Sequence, residues 1–259
     1  MGVLNVTPDS FSDGGRWLDP DAAVAHGLAM VAEGADVVDV GGESTRPGAE
    51  PVAEDEELRR VLPVVEALAP HVRVSIDTRR ALVAEKAVAA GATLVNDVSA
   101  SLWPVAAGAG PGVGWVAMHM RGEPRTMQRA PEYADVVAEV RAFLVERADR
   151  ARDGGVDEVW IDPGIGFGKA AVHNLALLRA LRTLVATGWP VLVGASRKSF
   201  LGLVTAEPGG SSVPADDRLE ASLATAVWAL DQGVSMVRVH DVGPTVQAAR
   251  LVAGAGVGS

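Results

Sequence analysis

Chemistry in this sequence is concentrated where short apolar runs end on polar residues: Asn5, Asp77, Asn96, His119, Asp162, the Ser196–Lys198 cluster, Arg238 and His240. Two kinds of group are present. Asp77, Asn96 and Asp162 offer acceptors and one amide, which suits a flat heterocycle with N–H donors and a ring carbonyl, because a carboxylate can take two parallel hydrogen bonds from an amidine-like edge. Arg197, Lys198, Arg238 and His240 offer cations, which suits phosphate or carboxylate. A nitrogen heterocycle carrying a phosphorylated arm would satisfy both halves. Taken singly, each tip is as well explained as a loop cap; gathered on one rim, unpaired charges would be costly without a ligand.

The stretch Ile161–Lys169, I-D-P-G-I-G-F-G-K, shows the pattern best. A buried strand stops at Asp162, Pro163 cannot extend a ladder, and Gly164, Gly166 and Gly168 open a loop that ends on Lys169. It is not a phosphate loop: a Walker motif needs Gly where Pro163 stands and Ser or Thr where Ala170 stands. Likewise G-A-S-R at Gly194–Arg197 lacks the second glycine of a nucleophile elbow. His119 has no evident task beyond a structural hydrogen bond, and His26, His71 and His173 read as solvated.

The tips need elements to hold them on one face. Apolar runs at Met1–Val6, Val37–Val40, Val72–Ile76, Thr93–Val95, Trp115–Met118, Val159–Ile161, Pro190–Val193 and Ser235–Val239 read as eight strands. Between them lie helical patterns: Pro20 to Gly34, Ala53 to about Pro70, a helix ending at Gly91, Asp135 to about Arg152, Asn174 to about Thr187, and about Asp216 to Asp231. A short helix is expected within Leu102–Gly114, and Thr245–Ala253 closes the chain as a helix. The alternation predicts an α/β fold, a single-domain (β/α)8 TIM barrel whose strand C-termini share one rim. The doubly wound alternative would show a dinucleotide or phosphate fingerprint after strand one, and none is present.

Composition sets limits. The 259 residues are 48% hydrophobic and 22% charged, with no cysteine and a formal net charge of -10. That charge argues against a nucleic-acid partner, and requires a local cationic cluster if the substrates are anions. Absence of cysteine excludes disulfides and thiolate chemistry and fits a cytoplasmic setting. No apolar run is long enough to span a membrane and no signal peptide opens the chain, although a start so close to a strand reads as a clipped N-terminus.

Taken together, the loops resemble dihydropteroate synthases, the folate-pathway enzymes inhibited by sulfonamides. The resemblance rests on L-N-V-T-P-D-S-F-S-D-G-G (Leu4–Gly15), G-G-E-S-T-R-P-G (Gly41–Gly48), S-I-D-T (Ser75–Thr78), V-N-D-V (Val95–Val98), M-H-M-R-G (Met118–Gly122), D-P-G-I-G-F-G-K, G-A-S-R-K-S-F and R-V-H-D (Arg238–Asp241). It implies a transferase that joins 6-hydroxymethyl-7,8-dihydropterin diphosphate to 4-aminobenzoate, giving 7,8-dihydropteroate and diphosphate. It implies pterin contacts from Asp77, Asn96, Met118, Asp162, Phe167, Gly194, Lys198 and Arg238, with Asp77, Asp162, Lys198, Arg238 and His240 catalytic. Asn5, Arg238 and His240 would grip diphosphate, with Mg2+ bound at Asn5. Phe11, Thr45, Arg46, Pro47, Phe167, Lys198 and Ser199 would hold aminobenzoate, and the late helices would form a homodimer. Ala100 and Ser101 depart from the family's usual glycines, which puts the fourth helix in doubt. A pterin-binding methyltransferase domain, or an inactive paralogue, remains as the alternative; neither would need all of these loops.

Overall fold

The computed structural model describes residues 1–7, 20–43, 52–123 and 126–254. Six parallel strands form a continuous ladder: β1 (Gly2–Asn5), β2 (Val37–Gly41), β3 (Arg73–Asp77), β4 (Leu94–Asp97), β5 (Gly114–Met118) and β6 (Val159–Asp162). Two further strands, β7 (Leu192–Val193) and β8 (Met236–Val237), pair with each other. Single bridges close the ring on either side, Ile161 to Val191 and Gly2 to Val239. The first seam carries Ile161 N donating to Pro190 O at 2.9 Å, and the second carries Val3 N to Val239 O at 2.9 Å and Val239 N to Met1 O at 3.0 Å. The expected barrel is therefore present, with shorter seventh and eighth strands than the apolar runs suggest. Pro190 has no N–H to donate, so it enters the ladder only as an acceptor.

Helices follow the strands: α1 (Pro20–Ala32), α2 (Glu54–Leu68), α3 (Ala81–Ala89), α4 (Trp103–Ala109), α5 (Val136–Asp153), α6 (Ala171–Arg179), α7 (Leu181–Val185), α8 (Ser199–Val204), α9 (Leu219–Asp231) and α10 (Val242–Gly254). In α2, Val61, Val64, Val65 and Leu68 are buried at the i, i+3, i+4, i+7 spacing of one helix face. Asp135 caps α5, accepting from the N–H groups of Val137 and Ala138 at 3.0 Å each. Three expectations are corrected. The helix expected over 174–187 starts at Ala171 and is interrupted at Ala180, whose φ of -101° and ψ of 15° leave the helical region. The six-residue α8 was not anticipated, and α10 starts three residues before Thr245.

Strand alternation sorts the apolar residues into two cores. One lies between sheet and helices and includes the wholly buried Trp115, Ile161, Leu144 and Leu68. The other fills the barrel interior with Met1, Val37, Leu94, Val116 and Leu192, backed by Trp160 and Met236. Beneath it Arg73 pairs with both oxygens of Glu158 at 2.9 and 2.7 Å, and Trp160 Nε1 donates to Glu158 at 2.6 Å. Apolar side chains and this ion pair thus fill the lower part of the barrel. No helix among the described residues is long and apolar enough to cross a membrane.

Candidate active site

Register places the rim residues. Asn5, Gly41, Asp77 and Asn96 are successive ladder partners across β1–β4, and Met118 is opposite Asp162 across β5 and β6. One layer deeper Asp39 is opposite Ser75. The closing strands bring the cations: Gly194 and Lys198 follow β7, and Arg238 and His240 follow β8. A Cβ on Gly194 would lie 3.6 Å from Arg238 Cβ and 3.9 Å from Lys198 Nζ, so this glycine keeps the wall open where the two cations converge.

Arg238 is the hub. Its Nε donates to Asp39 Oδ2 at 2.6 Å and its Nη2 to Asp77 Oδ2 at 2.7 Å. Asn96 Nδ2 donates to the same Asp39 oxygen at 2.9 Å. Burial works against the Arg238 charge, yet Asp39 and Asp77 hold it protonated above the ordinary arginine value. Burial pushes Asp77 up to about 7 against the pull of Arg238. One of the two Asp77 oxygens thus already accepts from Arg238. Asp39 was missed, although an aspartate between valines in V-V-D-V, on an otherwise apolar strand, was a visible signal.

The third carboxyl, Asp162, uses Oδ1 to accept from Gly164 N at 2.7 Å. Burial raises its pKa, opposed first by Lys198, then by the Gly164 bond and Arg238. Lys198 reaches back to Ile165 O, and its Nζ stands 4.5 Å from the centre of the Phe167 ring. Burial lowers this ammonium to about 8. Arg197, at φ 58°, turns the chain so that Lys198 faces the site. That left-handed conformation costs about 1–2 kcal/mol, and is held by Arg197 N donating to Ser222 Oγ at 2.9 Å. The Arg197 side chain is not a free cation as expected; it pairs with Asp241, Nε to Oδ2 at 3.0 Å. His240 is held by Ser196 Oγ, 3.2 Å from its N and 3.1 Å from Nδ1.

Below the Asp162 loop lies a buried lysine that was passed over as the end of a glycine run. Lys169, 2% exposed, places Nζ 2.9 Å from His119 Nδ1, 3.1 Å from His119 O, 3.0 Å from Gly164 O and 2.9 Å from Phe167 O. Burial lowers its pKa to about 7 and, with the Lys169 charge, that of His119 to about 3. His119 is therefore a neutral acceptor tying β5 to the β6 loop, and its role is structural. Backbones meet closely here: a Cβ on Gly164 would come 1.9 Å from His119 O and one on Gly168 2.1 Å from Arg121 O, at φ 63° and 61°. His173 is not simply solvated; its Nδ1 accepts from Ala170 N at 3.2 Å and its ring lies 4.9 Å from Tyr133.

Eleven of the expected ligand-binding residues fall on this rim or its loops: Asn5, Asp77, Asn96, Met118, Asp162, Phe167, Gly194, Lys198, Ser199, Arg238 and His240. Phe11, Thr45, Arg46 and Pro47 lie outside the described residues. Among the described residues no group of three or more His, Cys, Asp or Glu side chains could hold a metal ion. The amide oxygen of Asn5 stands at the mouth, 3.6 Å from where a Cβ on Gly41 would be. A lone oxygen donor of this kind suits a hard cation that keeps most of its ligands from water and phosphate.

Comparison with known proteins identifies the family. The pterin binding enzyme family matches residues 1–240. The dihydropteroate synthase of Mycobacterium leprae is 53% identical, over 97% of this chain and 91% of its own. Two solved structures of Xanthomonas albilineans dihydropteroate synthase superpose closely. The one with 4-aminobenzoic acid has a TM-score of 0.90 at 45% identity, covering 100% of this chain and 93% of that one. The one with 7,8-dihydropteroate has a TM-score of 0.87 at 42% identity and the same coverage. On this evidence the chain belongs to the pterin binding enzyme family and, within it, to the dihydropteroate synthases.

Proposed function

We propose that the chain condenses 6-hydroxymethyl-7,8-dihydropterin diphosphate with 4-aminobenzoate, giving 7,8-dihydropteroate and diphosphate. The observation that carries this reading is the convergence of Asp77, Asn96 and Asp162 with Lys198 and Arg238 at the C-terminal ends of the strands. The relatives' ligands, 4-aminobenzoic acid and 7,8-dihydropteroate, are a substrate and the product of that reaction.

The chain's own groups account for the chemistry. The pterin edge donates to Asp162 and Asp77 while Asn96 fixes its orientation. Breaking the methylene–oxygen bond sends the electron pair to the leaving diphosphate and leaves positive charge on the pterin methylene. Arg238 and His240 stabilise the first charge and the carboxylates favour the second; preorganised groups of this kind are each worth about 2.7–4 kcal/mol. The aminobenzoate nitrogen then bonds to the methylene and loses its proton. Cleavage before attack is the order that the resemblance to dihydropteroate synthases favours. Lys198 packs its cation against Phe167 and would border both substrates.

Asn5, with the diphosphate oxygens, would hold Mg2+, which when bound neutralises charge on the leaving group. We further infer a cytoplasmic homodimer formed by the late helices, whose exposed Leu203, Trp228 and Leu251 would be covered by a second copy. A coupled assay for diphosphate release tests the activity. Release should require 4-aminobenzoate and Mg2+; release at the same rate without the amine would mean hydrolysis and would sink the reading.

A further inference from the structure

We propose that Asp39 is the positioning residue of Arg238: it is the fixed counter-ion on which the guanidinium turns when Asp77 passes from Arg238 to the incoming ring. The inference deepens the function proposed above and rests on it for the identity of the ring.

The two carboxylates that hold Arg238 are not equivalent. The Asp39 side chain is 0% exposed, whereas that of Asp77 is 12% exposed. Asp77 shares a ladder row with Gly41 and Asn5 at the mouth, and Asp39 lies one layer below, opposite Ser75. Arg238 spans the two layers, with Nε down to Asp39 and Nη2 up to Asp77. A ligand at the mouth can therefore compete for Asp77 and has no access to Asp39. When ring N–H groups take Asp77, Nη2 is released and Nε keeps its partner. The guanidinium can then swing its free edge toward the ring face and the diphosphate without leaving its anchor.

Asp39 has few other partners at this depth. A carboxylate with no access to water is costly unless it is paired. Its Oδ2 takes both Arg238 and Asn96, while its Oδ1 has no partner among the described residues. One buried oxygen thus aligns a ring-reading amide and an anion-gripping cation at once. Neither residue could adjust to substrate independently of the other.

The test follows the Nε–H signal of Arg238 by side-chain 15N NMR in the full chain, assigned by its loss in Arg238→Lys. In the wild type this proton should exchange slowly with water, and should remain slow when 6-hydroxymethylpterin, the ring without diphosphate, saturates the site. In Asp39→Asn, which keeps the shape and loses the charge, exchange should be about tenfold faster or more. Should Asp39→Asn fail to unfold cooperatively, Asp39→Ser provides a smaller replacement, and the wild-type response to the ring is decisive without either. Loss of wild-type protection on ring binding, or unchanged protection in the variants, would overturn the proposal. Turnover gives a second arm. Asp39→Asn should lower kcat about 10- to 100-fold, yet change activity less than about threefold in an Arg238→Ala background, because residues acting through one another are not additive. Full multiplication of the two losses would also overturn it. A wild type that never makes dihydropteroate would count against the functional reading alone, since the exchange measurement does not depend on turnover.

Discussion

Replacing Lys169 by methionine tests whether the Asp162 loop is built around an internal cation. Methionine keeps the length and packing of the stem and removes every N–H donor. The ammonium can serve three of its four neighbours at a time, namely His119 Nδ1, His119 O, Gly164 O and Phe167 O. At about 1 kcal/mol net for each buried hydrogen bond, the loss is about 3 kcal/mol. For a chain of this size that is a fall in Tm of about 6–12 °C. The pH dependence provides a sharper check. Folding lowers the Lys169 pKa from 10.5 to about 7, so between those values the unfolded chain binds more protons and wild-type stability rises with pH. The Lys169→Met side chain does not titrate, so the deficit of the variant should grow as pH is raised from 7 toward 10. Differential scanning calorimetry across that range measures both quantities. A variant that melts within about 2 °C of wild type at pH 7, or whose deficit stays constant up to pH 10, would refute the account of the loop.

Three further outcomes are expected. The pH profile of kcat/KM for the pterin substrate should be a narrow bell, falling below about 7 as Asp77 gains its proton and above about 8 as Lys198 loses its own; a flat profile from pH 6 to 9 would show that neither group titrates in the free enzyme. Gly164→Ala should cost about 3 kcal/mol or more, from left-handed strain plus overlap with His119 O, whereas Gly188→Ala, at φ 85° with nothing nearby, should cost about 1–2 kcal/mol from strain alone; equal urea midpoints for the two would contradict the close backbone approach. Chelating Mg2+ should abolish turnover and leave the melting temperature of the substrate-free chain unchanged, because the described residues contain no metal cage; a drop in that temperature would reveal a resident metal.

Most of the barrel was legible because its signals are local. Eight apolar runs mark the strands, most of them leading to a polar tip, and Pro163, Gly154 and Gly155 punctuate them by their own backbone chemistry. What escaped depended on partners distant in sequence. Nothing near Lys169 announces that its neighbour will be His119, fifty positions earlier, and nothing near Arg197 announces Asp241. The Arg238 partner of Asp77 was not legible, because a sequence shows a carboxylate without showing which cation lies across the barrel. Asp39 could have been found, since a charge on an apolar strand must be satisfied somewhere. The break at Ala180 has no counterpart in composition, as alanine is the best of helix formers.

The two seams of the barrel have a consequence for how it breathes. Ring-reading carboxyls ride on the six-stranded ladder, whereas Lys198, Arg238 and His240 ride on a pair of two-residue strands joined to it by one bridge on each side. The protein thus resembles a stiff arc with a lightly stitched flap, and a molecule that touches both becomes the missing stitch. Amide hydrogens of Val239 and Ile161 should accordingly be the ones most slowed by an occupied site, far more than those inside the arc.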